Sequence, residues 1–359
     1  MDNRIKKIAE SYKKAKNRTV QDYYKPAQEW AGQVDEKTAI LNAFIQNNDY
    51  DGLEKILQNF LADSSLSKGL FNVPNNYSII EYEAWKKNNP MNEEKIVAPT
   101  VGNPAAVFIG DFCLDEKGLM SLQFNHRITW GTLRFQYFAE KTMNLFNNIE
   151  KPLVVEIGGG FGGFAYSLLG KKKNMIYVNF DLPEMLILSS YYLMELFPDK
   201  KFLLYDKYDQ STNIDDYDIV LLPNFEFPSL KDESVDVFLN FRSMSETTMA
   251  ALQNYLGHIG RTLKYGGYLF HENEGVELIV TRNNIQYKRV LCYDFPIPKC
   301  LEEISVIKSK FYDRRYFECL YKKVEAKYPP ILIETGNNFN IINEEGNKLL
   351  RSNKVFFHE

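Results

Sequence analysis

Apolar positions in DGLEKILQNFLAD, residues 51–63, fall at Leu53, Ile56, Leu57, Phe60 and Leu61. That i, i+3, i+4, i+7, i+8 spacing lines them up on one stripe, which predicts an amphipathic helix with Asp49 or Asp51 as its N-cap. Residues 1 to about 70 read as helical in the same way. From Phe71 to Gly131 the pattern dissolves: NVPNN, KKNNPMNEEK, APTVGNPAA and GDFCLDEKG are turn chemistry joined by short apolar pieces. Irregular structure is predicted there, of the kind that often lies over an active site. A helix is predicted over Thr132–Phe146, and NNIEKP then breaks the pattern. The break marks a boundary between a mainly helical region, 1–148, and a second region, 149–359.

Beyond it, strands and helices alternate. Strands are predicted at Leu153–Ile157, Met175–Phe180, Asp218–Leu222, Val235–Asn240 and Gly267–His271, with helices such as Pro183–Phe197 and Glu246–Leu263 between them. Such alternation implies a parallel sheet covered on both faces. EEISVIKSKFYDRRYFECLYKKV instead alternates in period two around YDRR, which predicts an antiparallel hairpin at the sheet edge. No internal repeat or low-complexity tract interrupts the chain.

Composition narrows the class. The 359 residues are 45% hydrophobic and 25% charged, ordinary values for a globular chain long enough for roughly two to three domains. No apolar run approaches the roughly 20 residues of a membrane helix. The charged start MDNRIKKIAESYKKAKNRTV has no apolar core of a signal peptide, so a cytoplasmic protein is expected. Cys113, Cys292, Cys300 and Cys319 are scattered without CxxC spacing, which argues against a zinc site or a disulfide framework. A net charge of -4 lacks the basic excess that phosphate-backbone binding demands, so nucleic acid is not an expected partner.

The richest chemistry lies in KPLVVEIGGGFGGFAYSLLG, where a strand runs into a glycine knot and out into a helix. Gly158, Gly160 and Gly163 satisfy G-x-G-x-x-G, with Asp181 about 20 residues on, the dinucleotide fingerprint. Gly158, Gly160 and Gly162 equally satisfy E-x-G-x-G-x-G counted from Glu156. In both readings the glycines remove Cβ atoms that would block a nucleoside, and the acid ending the second strand accepts ribose hydroxyls. Glu156 tips the balance, because a carboxylate there repels a diphosphate and welcomes a ligand carrying an ammonium and a sulfonium. A nicotinamide domain would also need a second mononucleotide half with its own strands.

RTLKYGGYLFHENE, a helix ending in a Gly-Gly turn into a strand and followed by a terminal hairpin, resembles the back half of the class I S-adenosylmethionine-dependent methyltransferases. The resemblance covers roughly residues 150–325. EIGGGFGG, FDLPEMLILSSYYL and VFLNFRSMSE look like the bacterial putative sugar O-methyltransferases, with the match at Asp181-Leu182-Pro183-Glu184 and at Asn240, Ser243 and Glu246. It implies an α/β, Rossmann-like class I methyltransferase sheet, mostly parallel with a C-terminal antiparallel hairpin, over 149–359, with 1–148 as a helical substrate or lid domain. It implies S-adenosyl-L-methionine as cofactor, held by Glu156, Gly158, Gly159, Gly160 and Gly162 at the methionine end and by Asp181 and Leu182 at the ribose. Adenine contacts belong after the third strand. KKFLLYD and DIVLLPNFEF compete for that strand; the second is preferred, which puts Asn224 and Phe225 at the adenine and Asn240 beside the cofactor.

Methylation of a sugar hydroxyl needs in-line positioning and a base within hydrogen-bond reach, the base being worth about 10² to 10⁴ in rate. Base candidates at the carboxyl ends of the strands are Glu246, His271 and Glu272; His126, from FNHRITW, is another. Against these roles, Glu246 equally suits the first turn of a helix, His271 a buried strand, and His126 a fold-back of the N-terminal segment. Arg242 and Arg127, with Ser243, are candidates for holding a phosphate or nucleotide on the substrate, and ordinary ion pairs are the alternative. DKYDQSTNIDDYD is rich in aspartate but has no metal-loop spacing, so no metal site is expected. The expected partner is a small-molecule or glycan acceptor, a sugar or nucleotide-sugar; the oligomeric state stays open, a homodimer included. Two rival functions remain: an NAD(P)-dependent oxidoreductase using the same turn, and a cofactor-binding scaffold without catalysis.

Overall fold

The computed structural model describes residues 3–27, 30, 33–63, 66, 96–114, 117, 120–129, 131–277, 279–282, 285–310, 315–324, 341–342 and 348–349. Three helices lead: α1 (Asn3–Lys16), α2 (Gln33–Gln46) and α3 (Tyr50–Leu57). Of the two possible caps Asp49 caps α3, its carboxylate accepting from the Gly52 N–H at 2.9 Å. Phe60 and Leu61 lie past the end of α3 yet are still buried, because the turn that follows folds them onto the same face.

The expectation of irregular structure over 71–131 is corrected where it can be examined. Residues 71–95 lie outside the described residues, but β1 (Ala106–Leu114) and β2 (Met120–Thr129) form an antiparallel hairpin with a bulge between Ile109 and Gly110. The strand signal was present in MSLQFN, where apolar and polar residues alternate; the surrounding turn residues masked it. α4 (Thr132–Leu145) follows as predicted.

The main sheet uses β3 (Leu153–Ile157), β4 (Ile176–Asp181), β5 (Phe202–Leu204), β6 (Ile219–Pro223), β7 (Val235–Phe241), β8 (Leu263–Glu274), β11 (Leu301–Lys308) and β12 (Tyr316–Lys323), with the small hairpin β9 (Ile279–Arg282) and β10 (Ile285–Lys288) between β8 and β11. α5 (Gly163–Lys171), α6 (Pro183–Leu196) and α7 (Met249–Thr262) connect the parallel strands. Strand order is β11-β12-β8-β7-β3-β4-β6-β5. From β5 to β8 every pairing is parallel; β12 runs antiparallel to β8, and β11 antiparallel to β12. Both competing segments are thus strands: β6 lies beside β4 as preferred, and FLL forms the outer edge.

Every residue of β3, β4 and β6 is buried, as both faces of a parallel sheet require. On one face Val154 and Tyr177 pack with α4, α5 and α6, and Ile5, Ile8, Leu41, Leu53 and Leu57 of the N-terminal helices, with Phe60 just beyond them, join that cluster. On the other, Val155, Val178 and Phe238 pack with α7 and the C-terminal hairpin. The chain switches direction of winding between β4 and β7 at β3, so the groove at the carboxyl edge opens beside the glycine turn.

Candidate functional site

The β3–α5 turn is built from three glycines in the left-handed region, Gly158, Gly160 and Gly162, at φ +71°, +58° and +93°. A Cβ on Gly158 would lie 2.1 Å from Ser243 Oγ, whereas one on Gly160 would meet nothing within 4 Å. The turn therefore closes on the protein at Gly158 and opens to a groove at Gly160. Its backbone is fixed from β4: Asn179 Oδ1 accepts from Gly159 N at 3.0 Å, and Asp181 accepts from Gly160 N at 2.8 Å and from Leu182 N at 2.7 Å.

Two carboxyls lie under this turn. Glu156, on β3 opposite Asn179, is 2% exposed and accepts from the Tyr177 hydroxyl. Burial pushes it up to about 8, against the pull of the Tyr177 hydrogen bond. Burial likewise pushes Asp181 up to about 7, opposed by its two backbone donors. Each carboxylate oxygen has two acceptor positions, so Asp181 keeps capacity for ribose hydroxyls.

Beyond β6, Asn224 is buried and its Nδ2 donates to the Tyr24 carbonyl at 2.9 Å and to the Tyr255 hydroxyl at 3.2 Å. Its Oδ1 has no donor among the described residues, a buried acceptor that suits an exocyclic amine. Phe225 is half-buried, edge-on to Tyr205 at 5.7 Å.

Asn240 is placed differently from the expectation. Its Nδ2 donates to Ile157 O at 2.7 Å and to Ser243 Oγ, and its Oδ1 accepts from Met244 N at 3.2 Å and Asn273 Nδ2 at 2.9 Å. All four hydrogen-bonding positions are used, so Asn240 ties β3, β7 and β8 together and has none left for a ligand. Ser243, which also donates to Ile157 O at 3.1 Å, belongs to the same tie and not to a substrate contact.

The base candidates separate as clearly. His271 is 0% exposed, stacked against Tyr321 at 5.8 Å and beside Phe295 at 5.3 Å, on the face of β8 that meets the core. Burial pulls it down to about 3, so it is a neutral core histidine, with Nδ1 3.2 Å from Asn273 Nδ2. His126, on β2, accepts from Ile96 N at 3.0 Å through Nδ1, and Arg127 donates to the carbonyls of Ala98 and Pro99. Both residues lash segment 96–99 to the hairpin. Glu272 is fully buried between Arg134 Nη1 at 2.9 Å and Arg242 Nε at 3.0 Å, with Ser309 donating to its other oxygen. Burial pushes Glu272 up, but the Arg242 and Arg134 guanidiniums outweigh it and hold the carboxyl below its usual range. Arg242, at φ +83°, is committed to this pair and stacks on Tyr316 at 4.0 Å.

Glu246 does stand at the rim. It ends a 3₁₀ turn, Ser243–Glu246, and precedes α7, whose cap is Thr248 through Ala251 N; the predicted helix start at Glu246 is corrected by three residues. Its carboxylate accepts from Trp30 Nε1 at 2.6 Å and pairs with Arg289 at 3.0 Å. Trp30, Arg134, Tyr177, Asn179 and Arg289 were not legible as site residues, since each is a single polar group whose partner lies on a distant element.

Between the turn and the N-terminal region lies a shallow cleft, open to solvent, walled by Pro99, Thr129, Thr132, Phe135, Phe161 and Tyr192. Among the described residues no group of three or more His, Cys, Asp and Glu is arranged to hold a metal, and no helix is long and apolar enough to cross a membrane.

A mostly parallel sheet with this order, its switch at β3 and β12 antiparallel between β8 and β11, is an α/β, Rossmann-like fold with an antiparallel hairpin. No protein-family model matches the chain, and no curated protein matches it. Solved structures similar to it include the PH0226 protein from Pyrococcus horikoshii OT3, at 12% identity and TM-score 0.34 over 52% of this chain and 91% of that one. Geranyl diphosphate C-methyltransferase from Streptomyces coelicolor A3(2), in complex with Mg2+, geranyl-S-thiolodiphosphate and S-adenosyl-L-homocysteine, aligns at 12% identity and TM-score 0.35 over 52% and 76% of the two chains. The mitomycin 7-O-methyltransferase MmcR aligns at 12% identity and TM-score 0.38 over 54% and 55%. At such scores the likeness adds nothing to what the strand order itself shows.

Proposed function

We propose that this protein is an S-adenosylmethionine-dependent methyltransferase acting on a hydroxyl of a sugar or nucleotide-sugar. The observation that carries the reading is Glu156: a carboxyl buried beneath the glycine turn, with a hydroxyl as its direct hydrogen-bond partner and a pKa raised to about 8. A cation placed over the turn would draw the proton off and gain a counter-charge; a diphosphate there would hold the proton on and gain none. The residues present fit the cofactor. Gly160 leaves the turn open for the nucleoside, Asp181 keeps acceptor positions for ribose, and Asn224 Oδ1 awaits a donor such as the adenine amine.

The cofactor supplies the methyl group as an activated sulfonium carbon. This chain's part is to hold donor and acceptor in line, which is the larger share of the rate, and to take the hydroxyl proton. Glu246 is the base we assign, because of the four candidates it alone reaches the rim, with Trp30 and Arg289 fixing its orientation. The region 1–148 serves as the acceptor-side domain: its segment 96–104 and Thr129 wall the cleft that borders the turn through Phe161 and Gly163.

The test is transfer of labelled methyl from S-adenosylmethionine to a panel of nucleotide-sugars. Label in the acceptor, lost by about 10²-fold or more in Glu246→Gln, is the expected result. No transfer to any acceptor by a protein that binds S-adenosylhomocysteine would favour the non-catalytic scaffold.

A further inference from the structure

The chain leaving α1 is pinned at three points along the carboxyl edge. Lys16 pairs at 2.8 Å with Glu184, a 2%-exposed carboxylate in the first turn of α6, three residues after Asp181. The 3₁₀ turn Asp22–Tyr24 comes next. Its Tyr24 carbonyl accepts from Asn224, its hydroxyl donates to Asn254 Oδ1 at 2.9 Å, and its ring meets Tyr255 edge-on at 6.3 Å. Trp30 then donates its indole N–H to Glu246. The three anchors stand beyond β4, β6 and β7, so this chain borders the same groove as Asp181, Asn224 and Glu246.

Between the anchors, Val20 and Tyr23 are half-buried against the core. α1 is seated by its own apolar face, Ile5, Ile8, Tyr12 and Ala15, but among the described residues 17–27 only Tyr24 is buried, and Arg18 and Lys25 are exposed. A segment with few buried apolar contacts opens at low cost without unfolding what it covers. Its last latch is the indole–carboxylate hydrogen bond, which is charge-assisted.

We propose that residues 17–27, with Trp30, form a strap along the outer wall of the cofactor groove, latched by Trp30 on Glu246, and that the cofactor leaves only when the strap lifts. This rests on the cofactor reading above. Tyr24 and Trp30 are positioning residues: they hold the wall, and their loss is read in cofactor release and not in fold stability.

The experiment uses the full chain. Trypsin cleavage after Arg18, an exposed residue followed by Thr19, is followed with and without saturating S-adenosylhomocysteine, and dissociation of that ligand is timed in wild type, Trp30→Phe and Tyr24→Phe. The expected result is strong protection by the ligand in wild type, and release about tenfold faster in Trp30→Phe, the equivalent of about 1.4 kcal/mol for one lost charge-assisted bond. Tyr24→Phe, which keeps the ring and the carbonyl, should release it a few-fold faster, and the unliganded melting temperatures should not move. Ligand that binds tightly yet leaves cleavage and release unaltered overturns the strap and spares the cofactor reading. Failure of wild type to bind the ligand overturns both.

Discussion

Glu156 and Glu272 are both buried near the carboxyl edge of one sheet, two strands apart, and their surroundings are opposite. Glu272 lies between two guanidiniums and a serine hydroxyl, and is held ionised. Next to it the pattern repeats, with Arg289 between Glu246 and Glu274. Glu156 has a tyrosine hydroxyl, and burial holds its proton on. The β7–β8 side is thus electrically complete within the protein. The β3–β4 side is complete only when something positive arrives. A buried carboxylate held between two guanidiniums is architecture, whereas a buried carboxyl with no cation bonded to it, beneath an open glycine turn, is free to answer a charged ligand.

The contrast breaks first at Glu272. Glu272→Gln leaves Arg134 and Arg242 facing each other without a counter-charge and should destabilise by about 3–5 kcal/mol in urea unfolding, whereas Glu156→Gln should be close to neutral near pH 7. Equal costs would mean the two carboxyls are alike. Next, Gly158→Ala adds a Cβ against Ser243 Oγ at φ +71° and should cost about 2–3 kcal/mol with loss of S-adenosylhomocysteine binding; Gly160→Ala, with open space around it, should cost only the left-handed strain of about 1 kcal/mol. The same titrations check both. The smallest effect is Asp49→Ala at the cap of α3, about 1 kcal/mol in stability with cofactor affinity unchanged.

Stability against pH sharpens the same point. Glu156 in the folded protein binds its proton up to about pH 8, but an unfolded glutamate releases it near 4.3, so the folded state holds more protons across that window. Its contribution is fully present below about pH 4 and is lost as pH rises through 8. Unfolding free energies measured from pH 5 to 9 should therefore fall more steeply in wild type than in Glu156→Gln, and parallel curves would show that Glu156 is already ionised in the fold.

The sheet was legible because its parallel strands are short, mainly apolar runs and each connecting helix has its own start and stop; β3, β4, β6 and β7 moved by at most one residue at an edge, whereas β8 begins four residues earlier and ends three later than expected. The glycine turn and its acids were legible for a related reason, since a tight turn at a strand end can be met by few residues besides glycine. What failed was whatever depended on where a side chain points. His271 and Glu272 are neighbours on β8, and a period of two sends one into the core and the other to Arg134. Asn240 looked available because its four hydrogen bonds reach three separate parts of the chain. The β1–β2 hairpin was missed because its alternation is short and is flanked by glycine, proline and asparagine on both sides.

The central claim, that the unmatched carboxyl under the turn receives a cationic nucleoside, is tested by calorimetric titration near pH 7.5 with S-adenosylhomocysteine and with NAD, each in two buffers of different ionisation enthalpy. The account predicts saturable binding of S-adenosylhomocysteine with release of a proton as its ammonium ionises Glu156, release that Glu156→Gln abolishes, and no binding of NAD. Binding of NAD alone would contradict it and assign the glycine turn to a hydride-transfer enzyme.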